Sequence, residues 1–163
     1  HGTTFKVYLP CVGLCAAAEE HVGVGGGPAR GGEVVLLAED RADVRRFTAR
    51  VLRECGYEVL EADSGESALA LARDHAGPVH VLLTDAVMPG MSGKVLAERL
   101  GTTRPETRVV LMSGYTDDAV LDRSVVESGI TFLQKPFTPV RLAAAVRRAL
   151  DQGSLARDRS SVS

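Results

Sequence analysis

The chain carries no excess of basic residues. Its 19 Lys and Arg stand against 21 Asp and Glu, a formal net charge of -2 over 163 residues. So even a balance gives no support for nonspecific nucleic-acid binding. No apolar run approaches the roughly 20 residues that a bilayer-spanning helix needs. The N-terminus lacks the basic-then-apolar layout of a secretory signal. Cysteine is scarce, with only Cys11, Cys15 and Cys55. The number is odd, and Cys11-x-x-x-Cys15 has no second Cys or His pair in register. A disulfide framework and a structural zinc site are therefore both disfavoured. Reduced thiols in a cytosolic chain are the expectation. There is no internal repeat. His1, His21, His75 and His80 form no arrangement resembling a phosphotransfer or metal site, and His80 reads as a strand residue facing a helix.

What is present is the composition of an ordinary globular domain, 45% hydrophobic and 25% charged. Residues 1–10 alternate, with Phe5, Val7 and Leu9 on one face and Thr4, Lys6 and Tyr8 on the other, as in a strand. Residues 11–32 are rich in Gly and Ala, and Gly23, Gly25, Gly26, Gly27, Gly31 and Gly32 make their second half a flexible linker. From Glu33 to Leu150 strand and helix patterns alternate five times. The strands are Val34 to Ala38, Tyr57 to Ala62, Val79 to Asp85, Val109 to Met112 and Ile130 to Gln134. The first helix runs from Ala42 to Cys55, with Val44, Phe47, Val51 and Cys55 on its inner face and Gly56 as its stop. The second follows Ser64 as N-cap and turns Ala68, Leu71 and Ala72 inward. The third spans Lys94 to Leu100, and the fourth lies within Asp117 to Ser128, whose two leading aspartates suit the positive end of a helix. The fifth starts with Thr138 as N-cap and Pro139 as first residue, and buries Leu142, Val146, Ala149 and Leu150. The tail, residues 151–163, is polar and expected to be disordered. Such alternation calls for a parallel sheet covered on both faces, with the less apolar second strand at an edge.

The chemistry gathers at strand ends. Glu39-Asp40 closes the first strand, Asp85 the third, and Lys135-Pro136 the fifth. Open α/β sheets place ligand chemistry at the carboxyl ends of their strands. Acidic clusters on two strand ends and a lysine on another outline a site for a divalent metal and a phosphoryl group. Met88, Pro89 and Met91 shape the loop after Asp85.

In this order the motifs resemble the receiver domain of two-component signalling, across Glu33 to Leu150. They are Glu39-Asp40, then Asp85 followed by Met88-Pro89-Gly90-Met91-Ser92-Gly93, then Ser113-Gly114, then Lys135-Pro136-Phe137 with Phe132 before it. The resemblance implies a flavodoxin-like, doubly wound five-stranded parallel sheet of strand order 2-1-3-4-5. It implies that Asp85 accepts a phosphoryl group from phosphohistidine. It implies Mg²⁺ held by Asp40, Asp85 and the backbone carbonyl of Val87, with Glu39 acting directly or through water. Lys135 would pair with a phosphoryl oxygen. The Ser113 hydroxyl would donate to another, with small Gly114 leaving room. Phe132 would turn inward as Ser113 moves, a two-state switch. A cis bond before Pro136 would aim Lys135 into the site. Departures from the usual pattern are Glu39 for Asp, Ser113 for Thr and Phe132 for Tyr. They leave phosphoryl lifetime and switching amplitude open.

Gly2-Thr3-Thr4-Phe5-Lys6-Val7-Tyr8-Leu9-Pro10 also looks like the last strand of a histidine-kinase ATP-binding domain. With a linker and a receiver behind it, it points to the C-terminal module of a hybrid sensor histidine kinase. The ATP-binding boxes and a phosphorylatable-histidine helix are not in this sequence, so the chain itself is expected to act as a phosphoacceptor. The expected partner is a phosphohistidine-bearing kinase or phosphotransfer domain, docking over the Asp85 loops and the first helix. Homodimerisation stays open. A cytoplasmic location is expected, whether or not the parent kinase is membrane-anchored. Too little chain follows Leu150 for a DNA-binding output domain. One rival is a stand-alone response regulator. Another is a phosphatase with an aspartyl intermediate; such enzymes place an acid/base Asp two residues after the nucleophile, where this chain has Val87.

Overall fold

Short apolar segments that bury both faces, as Val34–Ala38 and residues 81–84 do, call for a central parallel sheet. The computed structural model describes residues 32–114 and 130–158. Its strands are β1 (Val34–Ala38), β2 (Glu58–Ala62), β3 (Val81–Asp85), β4 (Arg108–Ser113) and β5 (Thr131–Gln134). They form one parallel sheet in the order β2-β1-β3-β4-β5. Four helices are described: α1 (Ala42–Glu54), α2 (Gly65–Asp74), α3 (Gly93–Thr103) and α4 (Pro139–Asp158). The expected N-terminal strand, nearly all of the linker, and the helix within Asp117 to Ser128 lie outside the described residues.

Strand alternation sorts the core into two layers. Val35, Leu37, Val81, Leu83, Val110, Met112 and Leu133 point toward α1 and α4. Leu36, Ala38 and Leu82 point the other way, toward α2 and α3. Each fully buried leucine here contributes roughly 1.5–3 kcal/mol of transfer free energy. β2, with Glu58 exposed and Leu60 and Glu61 half-buried, sits at an edge as its polarity suggested.

Local signals set the helix ends. Gly56 has a φ of 89°, a left-handed conformation that costs glycine little, and closes α1. Ser64 and Ser67 form a reciprocal capping box on α2. Ser92 accepts from the Val95 N–H to start α3, and Thr138 accepts from Arg141 to start α4. The Lys135–Pro136 peptide is cis, as expected.

Four expectations need correction. Phe47 is not on the inner face of α1; it is 45% exposed, and Thr48, Val51 and Leu52 face the sheet instead. One helical position is about 100°, enough to carry Phe47 to the rim. Leu71 is likewise turned outward, because Ala68 and Ala72 sit against the sheet. His80 precedes β3, and its ring Nδ1 accepts from the Val34 N–H at 2.9 Å, so it caps the ladder and does not face a helix. The expected disordered tail also begins too early, since α4 continues to Asp158. Arg147 anchors the first of the extra turns. It is nearly buried, donates to Asp151 at 2.7 Å one turn on, and reaches Glu33 before β1 at 3.2 Å. An i,i+4 pair anchored to the domain carries the helix past Leu150.

Two glycines in α3 give a contrasting prediction. A Cβ on Gly93 would meet the Asp85 carbonyl and the Thr84 methyl, whereas one on Gly101 would meet nothing. Gly93→Ala should lower stability by about 1–3 kcal/mol through overpacking. Gly101→Ala should raise it by about 0.5–1 kcal/mol through helix propensity. Urea unfolding of both variants checks the pair of signs.

Candidate functional site

The site is built at the carboxyl ends of β1, β3 and β5, with β4 lying between the last two. β1 and β3 are neighbours in register, Ala38 beside Thr84, so the residues just beyond them converge. Glu39 leaves β1 fully buried, while Asp40 next to it is exposed. Asp85 is the last residue of β3 and half-buried. Carboxylate oxygens of Glu39, Asp40 and Asp85 lie within 4.8 Å of one another. Lys135, just past β5, closes the group: its Nζ donates to Asp85 Oδ2 at 2.6 Å and to Glu39 Oε2 at 2.8 Å.

The backbone around these groups is tied down. The Glu39 N–H donates to the Ala62 carbonyl, Ala86 to Met112, and Lys135 to Ser113 at 2.7 Å. The buried Thr84 hydroxyl donates to the Asp85 carbonyl at 3.1 Å. The Val87 N–H donates to Asp85 Oδ1 at 3.3 Å, so the two Asp85 oxygens have separate partners. Met88 and Met91 are buried and anchor the loop to the α2–α3 layer, as expected of them.

Burial pushes the Glu39 carboxyl above the ordinary range; the Lys135 hydrogen bond and charge oppose the rise, and Asp85 adds to it. Burial also works against the Lys135 charge, but its bonds to Asp85 and Glu39 outweigh that, and its pKa lies above the usual value. The two carboxylates thus hold the Lys135 ammonium in its charged state, while for Glu39 burial outweighs the help that Lys135 gives.

Glu39, Asp40, Asp85 and Lys135 are brought together as the sequence indicated. Ser113 ends β4 one residue past the register partner of Asp85, at the rim. Phe132 is half-buried in β5 beside Leu111, on the strand face opposite Leu133. Val87 is 60% exposed, two residues past Asp85, with its N–H bonded to that carboxylate. Thr84 and Arg45 also support the site and were not picked out in the sequence; Gly93 stood there only as part of the motif after Asp85. Gly93 lies directly under the Asp85 carbonyl. Arg45 donates to the Glu39 and Asp40 carbonyls. The signal available for Arg45 was its place one turn into the helix that follows the acidic pair.

Three carboxylates with no sulfur or imidazole make a hard oxygen donor set. It fits a hard divalent cation and suits a soft one poorly. A nucleophilic carboxylate with a lysine at hydrogen-bond distance also fits phosphoryl chemistry.

Residues 35–147 match the family model described as response regulator receiver domain. The chain belongs to that family. Receiver domains work in two-component signalling, take phosphoryl groups from histidine kinases or phosphotransfer proteins, and bind Mg²⁺ at an acidic pocket. This receiver is 35% identical to Sensor kinase CckA of Brucella abortus over 158 residues, 93% of the chain but only 17% of that protein's length. It is 37% identical to the response regulator receiver protein CpdR of the same organism, over 63% of the chain and 84% of CpdR. Among solved structures it is similar to the receiver domain of the hybrid histidine kinase CckA, at 36% identity and a TM-score of 0.60, covering 72% of this chain and 98% of that one.

Removing the lysine tests the electrostatics. Lys135→Met leaves the buried Glu39 carboxylate without its cation, and its pKa should rise further. A buried charge stripped of its partner costs about 3 kcal/mol. The sign follows from linkage: a carboxyl with a raised folded pKa loses stability as pH rises through that value. Urea unfolding in chelator should therefore show a larger deficit for Lys135→Met at pH 8 than near the carboxyl range.

Proposed function

We propose that Asp85 accepts a phosphoryl group from a phosphohistidine, and that Mg²⁺ assists. The observation that carries this is the placement of Asp85. One of its oxygens lies 2.6 Å from Lys135 Nζ, and the carboxylates of Glu39 and Asp40 stand beside it. Asp85 attacks phosphorus, the P–N bond breaks, and the imidazole leaves as neutral histidine after taking a proton. The Lys135 ammonium is placed to neutralise a phosphoryl oxygen, as a compact point charge. Ser113, at the rim, donates to a second oxygen. Asp40, Asp85 and the Val87 carbonyl would hold the metal, with Glu39 joining directly or through water. When bound, Mg²⁺ neutralises charge on the phosphoryl oxygens.

The output follows from packing. Drawing Ser113 toward the phosphoryl group vacates space at the end of β4, and Phe132 turns into it. That repacks the outer face of β5, a local charge event with a wider readout.

The receiver is the C-terminal module of a hybrid sensor histidine kinase, cytoplasmic, with residues 1–10 as the last strand of the ATP-binding domain and residues 11–32 as the linker. Support comes from the extent of the match to Sensor kinase CckA. Residues 33–163 make up about four fifths of the chain. A match over 93% of it has to include much of the stretch upstream. A stand-alone regulator is the second reading, favoured by the match over 84% of CpdR.

Incubation with acetyl phosphate and Mg²⁺ should label the chain, and Asp85→Asn should abolish labelling. Label that persists in Asp85→Asn removes the assignment. A phosphohistidine-bearing domain should transfer its label to wild type, and Lys135→Met should slow that transfer by about 10²-fold or more, the scale of losing one electrostatic stabiliser.

A further inference from the structure

Among the described residues, Arg45 is the charged side chain bonded to the acidic loop that the chemistry above leaves without a role. It lies four residues into α1, half-buried. Its Nη1 donates to the carbonyl oxygen of Glu39 at 2.6 Å and to that of Asp40 at 3.3 Å. These carbonyls belong to the two peptide units that flank Asp40. Holding both planes fixes φ and ψ at Asp40, and with them the direction of its Cα–Cβ bond. Asp40 needs that more than its neighbours do. Glu39 is held by Lys135 and by the Arg41 N–H, and Asp85 by Lys135 and the Val87 N–H. Asp40 is exposed, and among the described residues its carboxylate accepts no hydrogen bond.

We infer that Arg45 is a positioning residue for the metal site: by clamping the two carbonyls around Asp40 it aims that carboxylate at the cation, which it never touches. The inference rests on the metal-site reading above. It also carries a sign that separates it from plain electrostatics. A guanidinium near a cation site repels the cation, so charge alone predicts tighter metal binding once Arg45 is removed. Clamping predicts the reverse. Partners that orient a metal ligand are typically worth 10–100-fold in affinity.

The test is Mn²⁺ titration of the 163-residue chain, with free Mn²⁺ read by electron paramagnetic resonance. Wild type should bind, and Asp40→Asn should lose binding. If Asp40→Asn binds as wild type does, the metal-site reading fails and the inference with it. Given that control, Arg45→Met should weaken binding roughly tenfold or more. Arg45→Lys, which keeps the charge and a donor of shorter reach, should fall between, and it keeps the test available if the Met variant does not fold. Phosphorylation by acetyl phosphate should need proportionately more Mg²⁺ for half its maximum, with the rate at saturating Mg²⁺ retained. Wild-type or tighter Mn²⁺ affinity in Arg45→Met overturns the role of Arg45 and leaves the metal-site reading standing.

Discussion

One ammonium shared by two carboxylates holds the site together. Glu39 is fully buried, and an isolated ionised carboxylate there would be prohibitively costly. Lys135 makes it tolerable at 2.8 Å while gripping Asp85 at 2.6 Å. The contact joins the carboxyl ends of β1, β3 and β5, with Lys135 reaching past β4, which lies between β3 and β5. With its carboxylates ionised, the group remains negative: three acids face one lysine. That leftover charge is the physical demand for a divalent cation. It would also oppose the approach of a phosphoryl anion until it is neutralised.

The rest of the fold serves that arrangement. Fully buried β1 and β3 give a stiff floor, and the carboxylates sit where it stops. Thr84 and Gly93 fix the Asp85 backbone from the side and from below. Arg45 fixes the loop of Glu39 and Asp40 from α1. At the opposite end of the sheet, Arg147 ties α4 to Glu33, where the upstream chain enters. A rigid frame with an exposed, negatively charged rim suits a domain that must meet a partner and then change state.

Much of this was legible in the sequence. The strands were readable because each is a short apolar run closed by a turn or a charge, and Glu39, Asp40, Asp85 and Lys135 were those closing residues. The strand order came from the resemblance to receivers, and the observed pairing agrees with it. Helix faces were less legible. Val44, Phe47 and Val51 keep helical spacing, yet Phe47 lies on the rim, because a small angular error moves a bulky side chain from core to solvent. His80 misled because its ring serves a backbone N–H. Arg45 and Thr84 were not legible for a common reason: they act on backbone carbonyls, which leaves no pattern in hydropathy or motif. Gly93 stood in the motif after Asp85, but its close approach to the Asp85 carbonyl did not show there.

The central claim is that Asp85 takes the phosphoryl group. An aspartyl phosphate is reduced by borohydride to homoserine, which marks its position permanently. After incubation with acetyl phosphate and Mg²⁺, reduction and peptide mass mapping should find homoserine at position 85 and nowhere else. Homoserine at Asp40 or any other aspartate, with position 85 unmodified, would contradict the account.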